Sequence, residues 1–132
     1  MKAKQPSIFV VDDDDDLRDS ICDELERHGY KTAGAQHGES ALTVLRKGPA
    51  KPDLVLLDLM MPEGDGWQVV SALKADQELS KVPIVLMSAV PPKATSLQAQ
   101  GVAASLPKPF TMEELLFVIS RVLPAPKAAK AW

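Results

Sequence analysis

A chain of 132 residues with 45% hydrophobic and 25% charged residues has the size and balance of one globular domain, which excludes the disordered and fibrous classes. Its 18 acidic and 15 basic residues leave a net charge of -3, with five of the acids together at Asp12 to Asp16, so no basic face is offered to nucleic acid or anionic lipid. A lone cysteine, Cys22, the lack of a signal-peptide pattern and the absence of any apolar run near the length of a membrane helix point to a soluble, cytoplasmic protein without direct nucleic-acid or membrane partners.

The first apolar run, Ile8-Phe9-Val10-Val11, predicts a buried strand that stops at the five aspartates. Leu17, Ile21 and Leu25 then recur at helical spacing behind Asp14, Asp15 and Asp16, acids that suit the positive end of a helix dipole, and Gly29 is a natural stop. Cys22 on this helix reads as a small buried hydrophobe. Tyr30 to Ala35 is a weaker second strand, and Glu39 to Lys47 a second helix burying Ala41, Leu42 and Leu45. Gly48-Pro49-Ala50-Lys51-Pro52 breaks that helix. Leu54, Val55, Leu56 and Leu57 run directly into Asp58, the pattern of a strand buried on both faces, before Pro62, Gly64 and Gly66 impose an irregular loop.

Val69, Val70 and Leu73 mark a third helix, with Asp65 as a candidate cap and an end near Gln77. Val82 to Met87 predicts a fourth strand with Pro83 near its beginning, followed by Ser88 and Ala89. Pro91-Pro92 leaves room for only a short helix between Lys93 and Gln100, which Gly101 ends. Val102 to Leu106 is a brief fifth strand leading into Pro107-Lys108-Pro109-Phe110, and Thr111 with Glu114 forms a capping box for a last helix burying Leu115, Ile119 and Val122. One domain over residues 1–123 is expected, with residues 124–132 as a tail or the start of a linker.

Five alternations of strand and helix predict an α/β fold with helices on both faces of a parallel sheet. At this length the leading topology is a flavodoxin-like, doubly wound five-stranded sheet of order 2-1-3-4-5 with five helices. Ligands of such sheets bind at the carboxyl ends of the strands. There the chain places Asp12 and Asp13 after the first strand, Asp58 after the third, Ser88 after the fourth and Lys108 after the fifth. Three neighbouring carboxylates repel unless a counter-charge intervenes, and Mg2+, with its preference for oxygen ligands, would remove the conflict and bridge to a phosphoryl group. A carboxylate nucleophile, a metal and a lysine are the parts required to transfer a phosphoryl group onto Asp58.

With Val10-Val11-Asp12-Asp13, Asp53-Leu54-Val55-Leu56-Leu57-Asp58, Met61-Pro62, Asp65-Gly66, Ser88-Ala89 and Lys108-Pro109-Phe110 in this order, the chain resembles the receiver domain of two-component response regulators over residues 7 to 123. The resemblance implies that Asp58 accepts a phosphoryl group from a phosphohistidine on a sensor histidine kinase or phosphotransfer protein. It implies Mg2+ bound directly by Asp13 and Asp58, through water by Asp12, and by the backbone carbonyl of Met60. Ser88 would hydrogen-bond the phosphoryl group, Lys108 would pair with it, and the Lys108-Pro109 bond would be cis. Such a domain is regulatory, not an enzyme in its own right, and switches conformation to control an unidentified downstream protein. A homodimer would use the face of the fourth helix, fifth strand and fifth helix.

Where the family usually carries an aromatic residue three positions before the lysine, this sequence has Ser105, so the signal is expected to travel through Ala89 to Lys93 or through backbone shifts. His28 and His37, the only histidines, read as surface residues in or near turns. An EF-hand is excluded because its loop needs alternating ligands and a central glycine. One alternative is a metal-dependent aspartyl-phosphate phosphatase of haloacid-dehalogenase type, but Met60 stands where that chemistry needs a second carboxylate. Another is an inactive receiver-like scaffold, which the retention of all five polar groups disfavours; a flavin-binding relative would meet an acidic edge.

Overall fold

The computed structural model describes residues 5–48, 50–61, 64–90 and 92–124, with Gly64 and Asp65 described by their backbone alone. Pro62, Pro91, the cap expected from Asp65 and the tail expected beyond Pro124 lie outside the described residues. The elements follow in the order β1 (Ser7–Val11), α1 (Asp15–Arg27), β2 (Lys31–Ala35), α2 (Gly38–Lys47), β3 (Leu54–Asp58), β4 (Met60–Met61), β5 (Gly64–Asp65), α3 (Gly66–Ala75), a 3-10 turn (Leu79–Lys81), β6 (Ile84–Ser88), α4 (Ala94–Gln100), β7 (Ala104–Pro107) and α5 (Met112–Val122).

Five strands form one parallel sheet in the order β2-β1-β3-β6-β7. Setting aside the two-residue antiparallel ladder of β4 and β5, this is the predicted 2-1-3-4-5 order. The central strand β3 is buried throughout, because both sheet faces are covered. Val55 and Leu57 face the cluster shared with α2 and α3, while Leu54 and Leu56 face the one shared with α1 and α5. Each fully buried aliphatic side chain contributes about 1.5–3 kcal/mol by leaving water. At the start of β3 the Asp53 carboxylate accepts a hydrogen bond from the Ser7 N–H at 2.8 Å, and the Asp53 N–H donates to the Ser7 carbonyl at 2.8 Å, which holds β3 in register with β1.

Local signals set the helix ends. Asp14 accepts from the Leu17 N–H at 3.1 Å and begins α1, Gly29 follows its end with a φ of 93°, and Thr111 and Glu114 form the expected reciprocal cap of α5. The fifth main strand begins two residues later than Val102, because the Val102 N–H donates to the Leu97 carbonyl at the end of α4. The expected irregular loop after Asp58 carries instead the ladder that pairs Met60 with Asp65 and Met61 with Gly64. Cys22 is half-buried rather than enclosed, packed at the margin of the α1 and α5 cluster. Helix α4 contains no buried residue and touches the core only through half-buried Leu97, so it is the most weakly anchored helix of the described residues.

Candidate functional site

Parallel β1, β3, β6 and β7 end on the same edge, so the residues that close them converge. Asp12, one residue beyond β1, is fully buried; its N–H donates to the Ala35 carbonyl at 3.2 Å and its carboxylate accepts from the Asp14 N–H at 2.9 Å. Asp58, the last residue of β3, is also buried and accepts from the Met60 N–H at 3.2 Å. Asp13 is half-buried beside them. Each of the three offers a carboxylate oxygen, and these oxygens lie within 4.8 Å of one another. An all-oxygen, all-carboxylate donor set at this spacing fits a hard divalent cation such as Mg2+.

Lys108 enters from the end of β7. Its N–H donates to the Ser88 carbonyl at 2.8 Å, and its ammonium donates to Asp12 Oδ2 at 3.0 Å and stands 3.5 Å from Asp58 Oδ1. The Lys108-Pro109 peptide bond is cis, as expected. Burial pushes the Asp58 carboxyl up from 3.8 to about 6, and the Asp12 charge adds to the rise while Lys108 opposes it. Burial alone would lower the Lys108 ammonium, but its hydrogen bond and charge contact with Asp12, joined by Asp58, outweigh this and hold it above its ordinary value.

Ser88 is buried at the end of β6, yet its hydroxyl is not directed at Asp58. It donates to the Val90 carbonyl at 2.7 Å and accepts from the Val90 N–H at 3.1 Å, closing a tight turn. Met60, two residues beyond Asp58, and Val90, two residues beyond Ser88, are 66% and 74% exposed. Ser105 is half-buried on β7. His37 is not the surface residue expected: it is half-buried at the start of α2, with Nδ1 enclosed and unpartnered among the described residues. His28 caps α1 with Nδ1 2.9 Å from the Glu24 carbonyl, away from the acidic edge.

The part that two residues play escaped the sequence reading. Gly66 matters for close approach more than for a turn, since a Cβ there would lie 2.7 Å from Leu59 Cα and 2.8 Å from the Asp58 carbonyl oxygen, while its N–H donates to the Leu59 carbonyl at 2.6 Å. Gly66→Ala is expected to cost about 1–3 kcal/mol in urea unfolding, because backbone rather than a flexible side chain must move. A loss near zero would show that the loop yields freely. Arg18, an ordinary polar position in the helical pattern, reaches back to the Asp12 carbonyl.

Comparisons with known proteins agree with this geometry. The family described as response regulator receiver domain matches residues 8–120. Among curated proteins, the chain is 33% identical to the DNA-binding dual master transcriptional regulator RpaA of Synechocystis, covering 95% of this chain and 54% of that protein. It is 39% identical to the response regulator MprA of Mycolicibacterium vanbaalenii, covering 83% of this chain and 46% of that protein. The chain thus spans about half the length of the curated relatives it matches. Among solved structures, the chemotaxis response regulator CheY4 of Vibrio cholerae superposes with a TM-score of 0.84 at 29% identity, over 91% of this chain and all of that one. The receiver domain of HemR from Leptospira biflexa gives 0.80 at 27% identity, over 93% and 98%.

Proposed function

The chain belongs to the response regulator receiver domain family, and from that premise we propose that Asp58 accepts a phosphoryl group from a phosphohistidine on a sensor histidine kinase or phosphotransfer protein. The modified form then changes its affinity for a downstream protein. The observation that carries this reading is a buried Asp58 carboxylate, grouped with Asp12 and Asp13 at metal-binding spacing and 3.5 Å from the Lys108 ammonium. An Asp58 oxygen forms the new bond to phosphorus as the bond to the imidazole nitrogen breaks, and that electron pair leaves with the imidazole. Asp13 and Asp58 would hold Mg2+ directly, Asp12 through water and Met60 through its backbone carbonyl. Bound there, Mg2+ would offset the carboxylate repulsion and the charge of the phosphoryl oxygens.

Lys108, whose ammonium already stands 3.5 Å from Asp58 Oδ1, neutralises the incoming phosphoryl oxygens. Ser88 completes the switch by turning from Val90: once its hydroxyl donates to the phosphoryl group, it no longer donates to the Val90 carbonyl, and the turn there is weakened. The segment released leads directly into α4, the helix with no buried residue, so a small local change reaches an element that little else holds. This route needs no aromatic side chain at Ser105.

Incubation with Mg2+ and acetyl phosphate, followed by intact-mass measurement, tests the proposal: the parent should gain one phosphoryl group and Asp58→Asn none. Equal labelling of the two, or no labelling of the parent, would remove Asp58 from the role. The exposed apolar side chains of Met60 and Val90 cannot orient an attacking water, so the phosphorylated protein should lose its phosphoryl group slowly. Met60→Asn should shorten that lifetime by up to roughly a hundredfold, the lower end of what a positioned polar group contributes; a parent that loses phosphate as fast as the variant would contradict this account.

A further inference from the structure

We propose that Arg18 is a positioning residue for the metal-binding acids, an inference that rests on the function proposed above. Its guanidinium forks between two points of the β1–α1 segment: Nη1 donates to the Asp12 backbone carbonyl at 2.6 Å and Nη2 pairs with Asp15 Oδ1 at 2.6 Å. The Arg18 side chain is only 18% exposed, whereas that of Asp15 is 62% exposed, so the buried end of the fork is the one on Asp12. Arg18 lies across Gly34 of the neighbouring strand β2, where an added Cβ would stand 3.1 Å from Arg18 Cδ and 3.1 Å from the Val10 carbonyl oxygen. The absence of a side chain at Gly34 therefore leaves the channel through which the arginine stem passes.

The clamp matters because Asp12 is restrained at each of its other polar groups. Its N–H is on Ala35, and its two carboxylate oxygens are on the Asp14 N–H and the Lys108 ammonium. The carbonyl of Asp12 also begins the peptide unit that carries Asp13. Holding that carbonyl sets the direction in which the chain leaves β1, and hence where the Asp13 carboxylate stands relative to Asp58. A planar guanidinium can join a carbonyl and a carboxylate in one rigid fork, which a lysine cannot do, although it carries the same charge.

Calorimetric titration of Mg2+ into the parent and into Arg18→Lys separates the fork from the charge. Loss of an outer partner of a metal ligand commonly weakens metal binding by ten- to a hundredfold, and Arg18→Lys is expected to raise the Mg2+ Kd about tenfold. Urea unfolding of the same samples in metal-free buffer reports any general loss of structure. An unchanged Kd would overturn the inference whether or not stability falls, since a merely structural arginine would alter stability alone. Should Arg18→Lys not fold, Arg18→Gln makes the same test by removing the fork while keeping a polar side chain, and an unchanged Kd there would equally overturn it. A parent that binds no Mg2+ would overturn the metal site itself, an outcome distinct from a parent that binds and a variant that binds equally well.

Discussion

In metal-free buffer the stability of the protein is expected to fall by about 2–3 kcal/mol, relative to Asp58→Asn, as pH rises from about 4 to about 6.5. Asp58 titrates near 6 in the folded protein against an ordinary 3.8, because burial disfavours the carboxylate and the Asp12 charge disfavours it further. Between these two values the native state keeps a proton that the unfolded chain has released. Stability must then decrease as pH increases, which is opposite in sign to a carboxylate held by a salt bridge. Above the window the penalty is fully present, and below about 4 it is absent. Mg2+ binds the ionised form, so its addition should restore stability above pH 6 and do little near pH 4.5. Urea unfolding across this range, with chelator and with Mg2+, measures both effects. A parent and an Asp58→Asn variant with parallel pH profiles would mean that Asp58 ionises without strain and that the acidic edge stores no such repulsion.

Phosphorylation of Lys108→Ala by acetyl phosphate should be about a hundredfold slower than that of the parent at saturating Mg2+, the scale on which one preformed charge-stabilising donor acts in a buried site. The ammonium is held in place before any phosphoryl group arrives by Asp12 at 3.0 Å, and the main chain that carries it by the Lys108 N–H on the Ser88 carbonyl. No reorganisation is therefore needed when charge develops on the transferred oxygens. At subsaturating Mg2+ the substitution also removes one of the groups that lower the Asp58 carboxyl, so part of the loss should there be recovered at higher pH, where Asp58 ionises unaided. Single-turnover rates at two pH values separate these contributions. A variant as fast as the parent at both would exclude Lys108 from the transfer.

The convergence of Asp12, Asp13, Asp58 and Lys108 was legible because each lies at or within two residues of the end of a predicted strand, and parallel strands joined by right-handed crossovers must end on one edge. The caps at Asp14, Gly29 and Thr111 were legible for a related reason, since capping is decided by residues within a turn of one another. Arg18 was not legible. Its role depends on the absence of a side chain at Gly34, on a different strand, and no periodicity within α1 reports that. Gly66 was read as a loop former, yet its need is for contact with backbone at Leu59 and Asp58. The enclosure of His37 Nδ1 was likewise invisible, because polarity alone does not tell which neighbours will cover a ring at a helix start.

The order and type of the main elements, and the set of acids at the sheet edge, follow from the chain's own periodicity and turn chemistry, which act over a few residues. What only tertiary packing decided is how those groups stand toward one another. It placed the Lys108 ammonium on Asp12 as well as near Asp58, folded the Ser88 hydroxyl back onto Val90, and left α4 without a buried residue. These arrangements depend on desolvation and on competition among hydrogen-bond partners brought together from distant parts of the chain. No local pattern encodes that competition, because its outcome is a sum over neighbours that exist only once the sheet has formed.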